Sequence, residues 1–275
     1  MAARVLHAVS LEVADGSAVG ILGPNGSGKT TLLRLMAGVA RPWSGQVMID
    51  GTEIGALPRR MIARQLAVVP QETVLTFDYS VLEMVLMGRY PHLGAFELEG
   101  PSDRAAAMAA LQATGTAALA DRPFNTLSGG EKQRVVIASA LAQLDTAEED
   151  QRPRANGQSK ELRSPDESGE RPALGLGPLT ITQNGVLLLD EPTASLDLRY
   201  QLEVAALLKR LRAERGLTIV LSTHDLRLAK AVCTHVVLLS RGRVLADGPV
   251  ASVLTPALIG QLFDVDPAVA APLLV

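Results

Sequence analysis

Residues 23–31 read Gly-Pro-Asn-Gly-Ser-Gly-Lys-Thr-Thr. They fit the pattern G-x-x-x-x-G-K-[ST], in which a glycine-rich loop surrounds phosphate groups. An apolar run precedes them at residues 18–22, and the sequence LLRLMAG follows at 32–38. The loop is therefore predicted to join a buried strand to a helix. Glycines let consecutive backbone N–H groups approach a phosphate, and the start of the helix contributes its positive dipole end.

This phosphate loop, residues 23–31, supplies the first set of candidate ligands. We expect Lys29 to reach the β- and γ-phosphates of a nucleotide and the Thr30 hydroxyl to coordinate Mg²⁺. An ordinary glycine-rich turn is the alternative, which the flanking strand, lysine and helix disfavour. The predicted nucleotide-binding residues of the loop are Gly23, Pro24, Asn25, Gly26, Ser27, Gly28, Lys29, Thr30 and Thr31.

Composition and charge argue against a membrane-spanning, a secreted or a nucleic-acid-binding protein. Of the 275 residues, 47% are hydrophobic, but no apolar run approaches the roughly 20 residues that cross a bilayer. The first residues lack the pattern of a secretory signal, and the single cysteine excludes an internal disulfide, so a cytoplasmic location is expected. A net charge of −3 gives no electrostatic case for a nucleic-acid partner.

Three apolar strands are predicted to end in polar side chains. Residues 66–71 (LAVVPQ) form a predicted strand that ends at Gln71, whose amide could contact Mg²⁺ or the attacking water. The alternative is that Gln71 is an ordinary surface loop residue. Residues 186–192 (VLLLDEP) end in Asp190, a candidate Mg²⁺ ligand, and Glu191, a candidate general base. These two carboxylates could otherwise merely cap a strand. Residues 218–222 (TIVLS) precede His224, which should lie at the carboxyl edge of the sheet, where α/β proteins bind ligands.

The remaining segments differ in character. Residues 5–13 alternate loosely and predict a strand, whereas residues 80–119 follow a helical pattern. The segment LSGGE at 127–131 opens a predicted helix that ends near residue 144, and it offers a second start of a helix suited to phosphate. Residues 145–185 are charged and poor in large apolar side chains, which predicts a disordered surface insertion.

Taken in order, GPNGSGKT, Gln71, LSGGE, VLLLDEP, SLD at 195–197 and His224 resemble the ATPase subunit of an ATP-binding cassette (ABC) transporter. The resemblance implies an α/β fold: a P-loop NTPase core with a mixed sheet and an inserted helical signalling subdomain at about 72–140, all within one domain over 1–275. It also implies a head-to-tail homodimer that hydrolyses ATP with Mg²⁺ at two composite sites.

The same resemblance assigns roles to individual positions. Thr31 supports the α-phosphate, and Gln71 senses the γ-phosphate and contacts Mg²⁺ together with Thr30 and Asp190. Glu191 is the implied catalytic base, and His224 stabilises the γ-phosphate and the attacking water. The residues implied to act on the ATP of the second subunit are Ser128, Gly129, Gly130 and Asp197.

A transported ligand and further partners are also implied. The segment MGRYPHL at 87–93 and SLDLRYQ at 195–201 are similar to importers of iron-siderophores, haem and cobalamin. An ordinary helix-to-loop junction is the alternative account of residues 87–93. The importer class implies integral membrane permease subunits, a substrate-binding protein, and a peripheral location on the cytoplasmic face of the membrane.

Two other classes remain as alternatives. A soluble ABC-type ATPase acting on ribosomes or DNA usually has two cassettes in one chain with a basic linker, or long coiled-coil insertions. These 275 residues contain one cassette, and the insertion at 145–185 lacks both heptads and net positive charge. A P-loop kinase or GTPase is disfavoured by LSGGE. One departure from the family is the lack of an upstream aromatic residue to stack on adenine. We expect either that the true start lies upstream or that nucleotide affinity is weakened.

Overall fold

The computed structural model describes residues 5–74, 76–145, 178–179 and 185–274. The predicted disordered insertion at 145–185 thus lies outside the described residues, apart from Asp145, the pair 178–179 and Gly185. Among the described residues, no helix combines the length and apolar character that a membrane span requires.

Two sheets organise the chain. The strands are β1 (Ala18–Leu22), β2 (Met48–Ile49), β3 (Thr52–Glu53), β4 (Leu66–Val69), β5 (Pro178–Leu179), β6 (Val186–Asp190), β7 (Thr218–Thr223), β8 (His235–Ser240) and β9 (Arg243–Pro249). The larger sheet has the order β4-β6-β7-β1-β8-β9, and only its β8–β9 pair is antiparallel. In the smaller sheet, β2 pairs antiparallel with β3 and parallel with β5. This mixed sheet confirms the predicted α/β class.

The central strands are aliphatic because both of their faces are buried. All five residues of β1 and of β6 are buried, as expected for parallel strands covered on two sides. Side chains alternate between the faces. Leu187 and Leu189 of β6 therefore join one apolar cluster, while Val186 and Leu188 join the other.

Helices cover the larger sheet. Their bounds are α1 (Lys29–Met36), α2 (Arg59–Gln65), α3 (Val81–Leu86), α4 (Pro101–Ala113), α5 (Gly129–Leu144), α6 (Leu198–Arg215), α7 (Leu226–Val232), α8 (Val250–Val253), α9 (Pro256–Phe263) and α10 (Pro267–Ala270). Short 3₁₀ turns occupy Ile54–Ala56, Met87–His92, Ala117–Leu119, Phe124–Thr126 and Ala271–Leu274. Helices α3, α4 and α5 pack together, and we propose that they form the helical subdomain expected at about 72–140.

The strand predicted at residues 5–13 is wrong. Val9, Leu11 and Val13 are buried in the cluster that also contains Val186. The alternation of apolar residues in the sequence therefore reflects the burial of every second side chain. His7 donates its backbone N–H to Gly242 O, and Val13 forms a single β-bridge, but no continuous ladder over residues 5–13 is seen among the described residues. Alternating apolar residues identify a half-buried segment, and a strand also needs a hydrogen-bonding neighbour.

The segment 87–93 ties α2 to α5. Arg89 is 3% exposed, and its Nε lies 3.1 Å from Asp103 Oδ1 while its Nη1 donates to Ala142 O at 2.7 Å. Arg60 and Arg64 of α2 both donate from Nε to Pro91 O, at 2.7 and 2.8 Å. The segment therefore has a structural role, independent of any ligand class that its sequence suggests.

We expect the substitution Arg89→Met to lower the free energy of unfolding by about 3–5 kcal/mol, because it removes the buried guanidinium that pairs with the Asp103 carboxylate. Urea titration followed by circular dichroism measures this loss. Arg104→Met, an exposed change on the same helix as Asp103, is the matched control. A loss below about 1 kcal/mol for Arg89→Met would mean that the pair contributes no more than a surface ion pair.

Candidate functional site

Glycines shape the phosphate loop between β1 and α1. Gly28 has φ 106° at the start of α1, and a Cβ there would lie 2.7 Å from Leu6 Cδ2. A Cβ on Gly23 would lie 2.2 Å from Leu239 O. The positive φ of Gly28 and the approach of the Leu239 backbone carbonyl to Gly23 exclude other residues at these two positions. The loop is thereby fixed against the N-terminal segment and the end of β8.

Lys29 lies across this loop. Its side chain is 5% exposed, and its ammonium donates to Gly23 O at 2.9 Å and to Pro24 O at 3.2 Å. The same Nζ lies 3.2 Å from Glu191 Oε1. The three partners match the three donors of an ammonium group. Lys29 thus joins the loop to the end of β6.

The other loop residues surround Lys29. Asn25 and Gly26 are exposed at the tip, and Pro24, Gly28, Thr30 and Thr31 are partly exposed. Ser27 is buried, and its hydroxyl has no hydrogen-bond partner within the described part of the chain. An unpaired buried hydroxyl is costly, and a phosphate oxygen would satisfy it.

Adjacent parallel strands bring Asp190 and Ser222 together. The register of β6 and β7 places these two residues opposite each other. The Ser222 hydroxyl donates to Asp190 Oδ1 at 2.5 Å and accepts from the backbone N–H of Glu191 at 3.0 Å. No motif in the sequence marks Ser222. Its position at the end of the strand before His224 was visible, but the pairing with β6 was not.

Glu191 is held between two cationic or potentially cationic groups. Its Oε1 faces Lys29, and its Oε2 lies 3.2 Å from His224 Nδ1. The Glu191 side chain is 12% exposed, whereas that of His224 is 51% exposed. Glu191 also has φ 45°, a conformation that costs a non-glycine residue about 1–3 kcal/mol and occurs often at functional sites.

A cavity of about 370 Å³ opens beside these groups. Its lining includes Glu191, Thr223, His224 and Arg227. Open space next to a fixed carboxylate and an exposed imidazole leaves room for a water molecule and a polar substrate. The arrangement suits hydrolysis of a phosphate anhydride bound at the adjacent loop.

Gln71 follows β4, the neighbour of β6, and so lies at the same edge of the sheet. Its side chain is exposed, and no hydrogen bond from it is seen in the described ranges. The structure therefore places Gln71 at the edge that was predicted, without a contact that fixes its role.

Ser128, Gly129, Gly130 and Asp197 form a separate group at the starts of α5 and α6. Ser128 and Glu131 cap α5 reciprocally, with the Ser128 N–H and hydroxyl each donating to Glu131 Oε2 at 2.8 Å. These hydrogen bonds, from the backbone first and then the hydroxyl, hold the pKa of Glu131 below its ordinary value. Asp197 Oδ1 accepts from Tyr200 N at 3.0 Å. Within the part of the chain that the structure describes, neither cap contacts Lys29 or Glu191.

No cluster of three or more His, Cys, Asp or Glu among the described residues could hold a metal ion. Asp190 is nevertheless a carboxylate only 9% exposed, with a donor on one oxygen. Mg²⁺ is usually bound by one or two protein oxygens together with substrate phosphates. The donor set therefore fits a metal carried by a bound nucleotide.

The model of the family described as ABC transporter matches residues 6–146. The chain belongs to the ABC transporter family. This membership confirms the resemblance that the six motifs indicated. It also supports ATP as the ligand of the phosphate loop, whereas the roles of individual residues rest on the geometry above.

Two similar proteins carry names that state what they import. The hemin import ATP-binding protein HmuV of Gloeobacter violaceus is 40% identical over 255 residues, covering 93% of this chain and 80% of its own length. The cobalamin import ATP-binding protein BtuD of Halobacterium salinarum is 36% identical over 261 residues, which are 95% of this chain. The chain spans only 55% of that protein.

Among solved structures, the chain is similar to a dimeric ATP-binding cassette in a post-hydrolysis state, bound to ADP and Pi. The TM-score is 0.65 at 26% identity, covering 91% of this chain and 94% of that one. This ABC transporter cassette has the same fold as the chain and carries the products of ATP hydrolysis.

Ser222→Ala is expected to lower the free energy of unfolding by about 1–3 kcal/mol, because the buried Asp190 carboxylate loses a hydrogen-bond donor. The Glu191 N–H keeps its second acceptor, Ser222 O at 3.2 Å. Thermal or urea unfolding measures the change. Ser240→Ala, at the end of β8, is the matched control because no side-chain hydrogen bond of Ser240 is seen in the described ranges. Equal losses for the two variants would contradict the bridging role of Ser222.

Proposed function

We propose that this chain is the ATP-hydrolysing subunit of an ABC importer, energising uptake of an iron-siderophore, haem or cobalamin type ligand through a separate membrane permease. The observation that carries the proposal is the position of Glu191. Its carboxylate lies between the lysine of the phosphate loop and His224, beside an open cavity. A general base for hydrolysis has to lie where a bound γ-phosphate meets water.

The phosphate loop binds the nucleotide in this account. Lys29 donates from its ammonium to the β- and γ-phosphates, and Thr31 supports the α-phosphate. The loop N–H groups and the Ser27 hydroxyl donate to the remaining phosphate oxygens. Thr30, Gln71 and Asp190 would hold Mg²⁺. When bound, the metal supplies positive charge that stabilises the transferring phosphoryl group.

Hydrolysis then depends on the partners of Glu191. Because Lys29 turns to phosphate oxygens when nucleotide binds, Glu191 Oε1 is released to orient a water molecule and accept its proton. His224 keeps the other carboxylate oxygen in position and stabilises the γ-phosphate and the attacking water. Ser222 holds the Asp190 side chain and the Glu191 backbone in place through both steps.

A second copy of the chain completes each site. Ser128, Gly129, Gly130 and Asp197 make no contact with the Lys29 and Glu191 group within the described residues, although the family resemblance gives them ATP-contacting roles. A head-to-tail homodimer brings them to the nucleotide of the other copy. The dimeric state of the similar cassette supports this arrangement.

The importer assignment rests on the relatives. Proteins named for hemin and cobalamin import match nearly the whole of this chain. The proposed partners are therefore integral permease subunits at the cytoplasmic face of the membrane and, through them, a substrate-binding protein. No nucleic-acid partner is expected at a net charge of −3, so an ATPase acting on ribosomes or DNA is the less favoured function.

The wild-type chain is expected to hydrolyse ATP, and Glu191→Gln to lower kcat by about 10²–10⁴-fold while retaining nucleotide binding, because the amide cannot accept the proton. Phosphate release measures hydrolysis, and calorimetric titration measures binding. Lys29→Ala is the complementary variant and should lose nucleotide affinity. Unchanged kcat in Glu191→Gln would contradict the assignment of the base.

Purification from gently solubilised membranes distinguishes the proposed function from its alternative. An importer subunit should copurify with a polytopic permease, and uptake assays with haem and with cobalamin then identify the ligand. Recovery of the chain only with ribosomes or DNA-repair proteins would overturn the importer proposal.

A further inference from the structure

The ring of Tyr200 lies directly against Gly130. A Cβ on Gly130 would lie 2.1 Å from Tyr200 Cδ1 and 2.3 Å from Cγ, so no other residue fits at position 130 beside this ring. The backbone N–H of Tyr200 is itself held by Asp197 Oδ1 at 3.0 Å. One residue therefore contacts the LSGGE segment through its ring and the cap of α6 through its backbone.

An ion pair also joins α5 to α6, and Leu196 lies beside Gly129. Arg134 Nη1 of α5 lies 3.1 Å from Glu203 Oε2 of α6, and both side chains are less than one-third exposed. Leu196 Cδ2 would lie 3.5 Å from a Cβ on Gly129, an ordinary van der Waals distance. The LSGGE segment is thus fixed to the beginning of α6 at several points.

Gln201, the neighbour of Tyr200, anchors the loop that leads away from Glu191. Its Nε2 donates to Leu196 O at 3.0 Å and to Thr193 O at 3.4 Å. Ala194 N in turn donates to Glu191 O at 3.2 Å. The first turn of α6 therefore holds the Glu191 loop through Gln201 and the LSGGE segment through Tyr200.

We propose that Tyr200 and Gln201 are positioning residues that couple the Glu191 loop of one ATP site to the LSGGE segment, which serves the other. This inference rests on the proposed homodimeric ATPase. In such a dimer, Glu191 acts on the nucleotide of its own chain, whereas Ser128, Gly129 and Gly130 act on that of the second copy. A displacement of either element is transmitted through the first turn of α6 to the other.

The aromatic ring matters in this coupling, and the hydroxyl does not. No hydrogen bond from the Tyr200 hydroxyl is seen among the described residues, while the ring fills the space over Gly130. Removing the ring lets the LSGGE segment shift, and small displacements of positioning groups can cost about 10²-fold in rate. Among the described residues, no hydrogen bond joins Tyr200 to the phosphate loop of the same chain, so this loop should bind nucleotide as before.

The test compares Tyr200→Ala with Tyr200→Phe. We expect the alanine variant to lose about 10–100-fold in kcat and to lower the Hill coefficient for ATP toward one, with ADP affinity unchanged. The phenylalanine variant should behave like the wild type. Steady-state phosphate release gives kcat, KM and the Hill coefficient, and calorimetry with ADP tests the phosphate loop separately.

Gln201→Glu provides a second variant of the same size, in which the carboxylate cannot donate to Thr193 O and Leu196 O. It should also lower kcat and the Hill coefficient while ADP affinity is retained. Wild-type kcat and cooperativity in both Tyr200→Ala and Gln201→Glu would overturn the proposal. A parallel loss of ADP affinity would overturn it as well, because it would indicate a general structural defect.

Hydrogen exchange separates this proposal from the proposed function. In Tyr200→Ala, the amides at residues 129–134 should exchange faster, whereas those of β1 and α1 should not change. If the wild-type chain has no ATPase activity, only the proposed function is contradicted. The coupling is tested independently by the hydrogen-exchange result. Unchanged exchange at residues 129–134 in the alanine variant would contradict the coupling even if the wild type is an active ATPase.

Discussion

The ion pair between Lys29 and Glu191 is the interaction on which the rest of the site depends. It joins two elements that are distant in the sequence, the phosphate loop and the end of β6, across 3.2 Å. A largely buried ammonium and carboxylate are stable together only when each has further partners. Lys29 has two loop carbonyls, and Glu191 has His224. The pair thus fixes the geometry of the phosphate loop relative to the end of β6.

The sheet makes this pair possible. Strands β6, β7 and β1 are parallel neighbours, so their carboxyl ends, and the groups that follow them, meet at one edge. Ligands of open α/β sheets bind at this edge. The strands themselves are aliphatic and buried on both faces, which fixes their register and hence the pairing of Asp190 with Ser222. The same strand order therefore determines both how the interior packs and which side chains lie together at the edge of the sheet.

Local sequence predicted much of this arrangement. The strand, loop and helix around Lys29, the two carboxylates after β6 and the position of His224 all follow from patterns a few residues long. Ser222 and Tyr200 were not identified as contact residues because their roles depend on register and on helix packing between distant segments. The strand predicted at residues 5–13 failed for a related reason. Its alternation is real, but a ladder needs a partner that the pattern alone cannot specify.

Cross-linking of the dimer tests the central claim, a site completed by a second copy, most directly. Burial raises the pKa of the only cysteine, Cys233, to about 12, so cysteines introduced at exposed positions react selectively. The variant Asn25→Cys with Ser128→Cys, in a Glu191→Gln background, should form a disulfide-linked dimer under oxidation when ATP is present, and little without nucleotide. Each single-cysteine variant is the control. Cross-linking that is absent, or equal with and without ATP, would contradict the composite site.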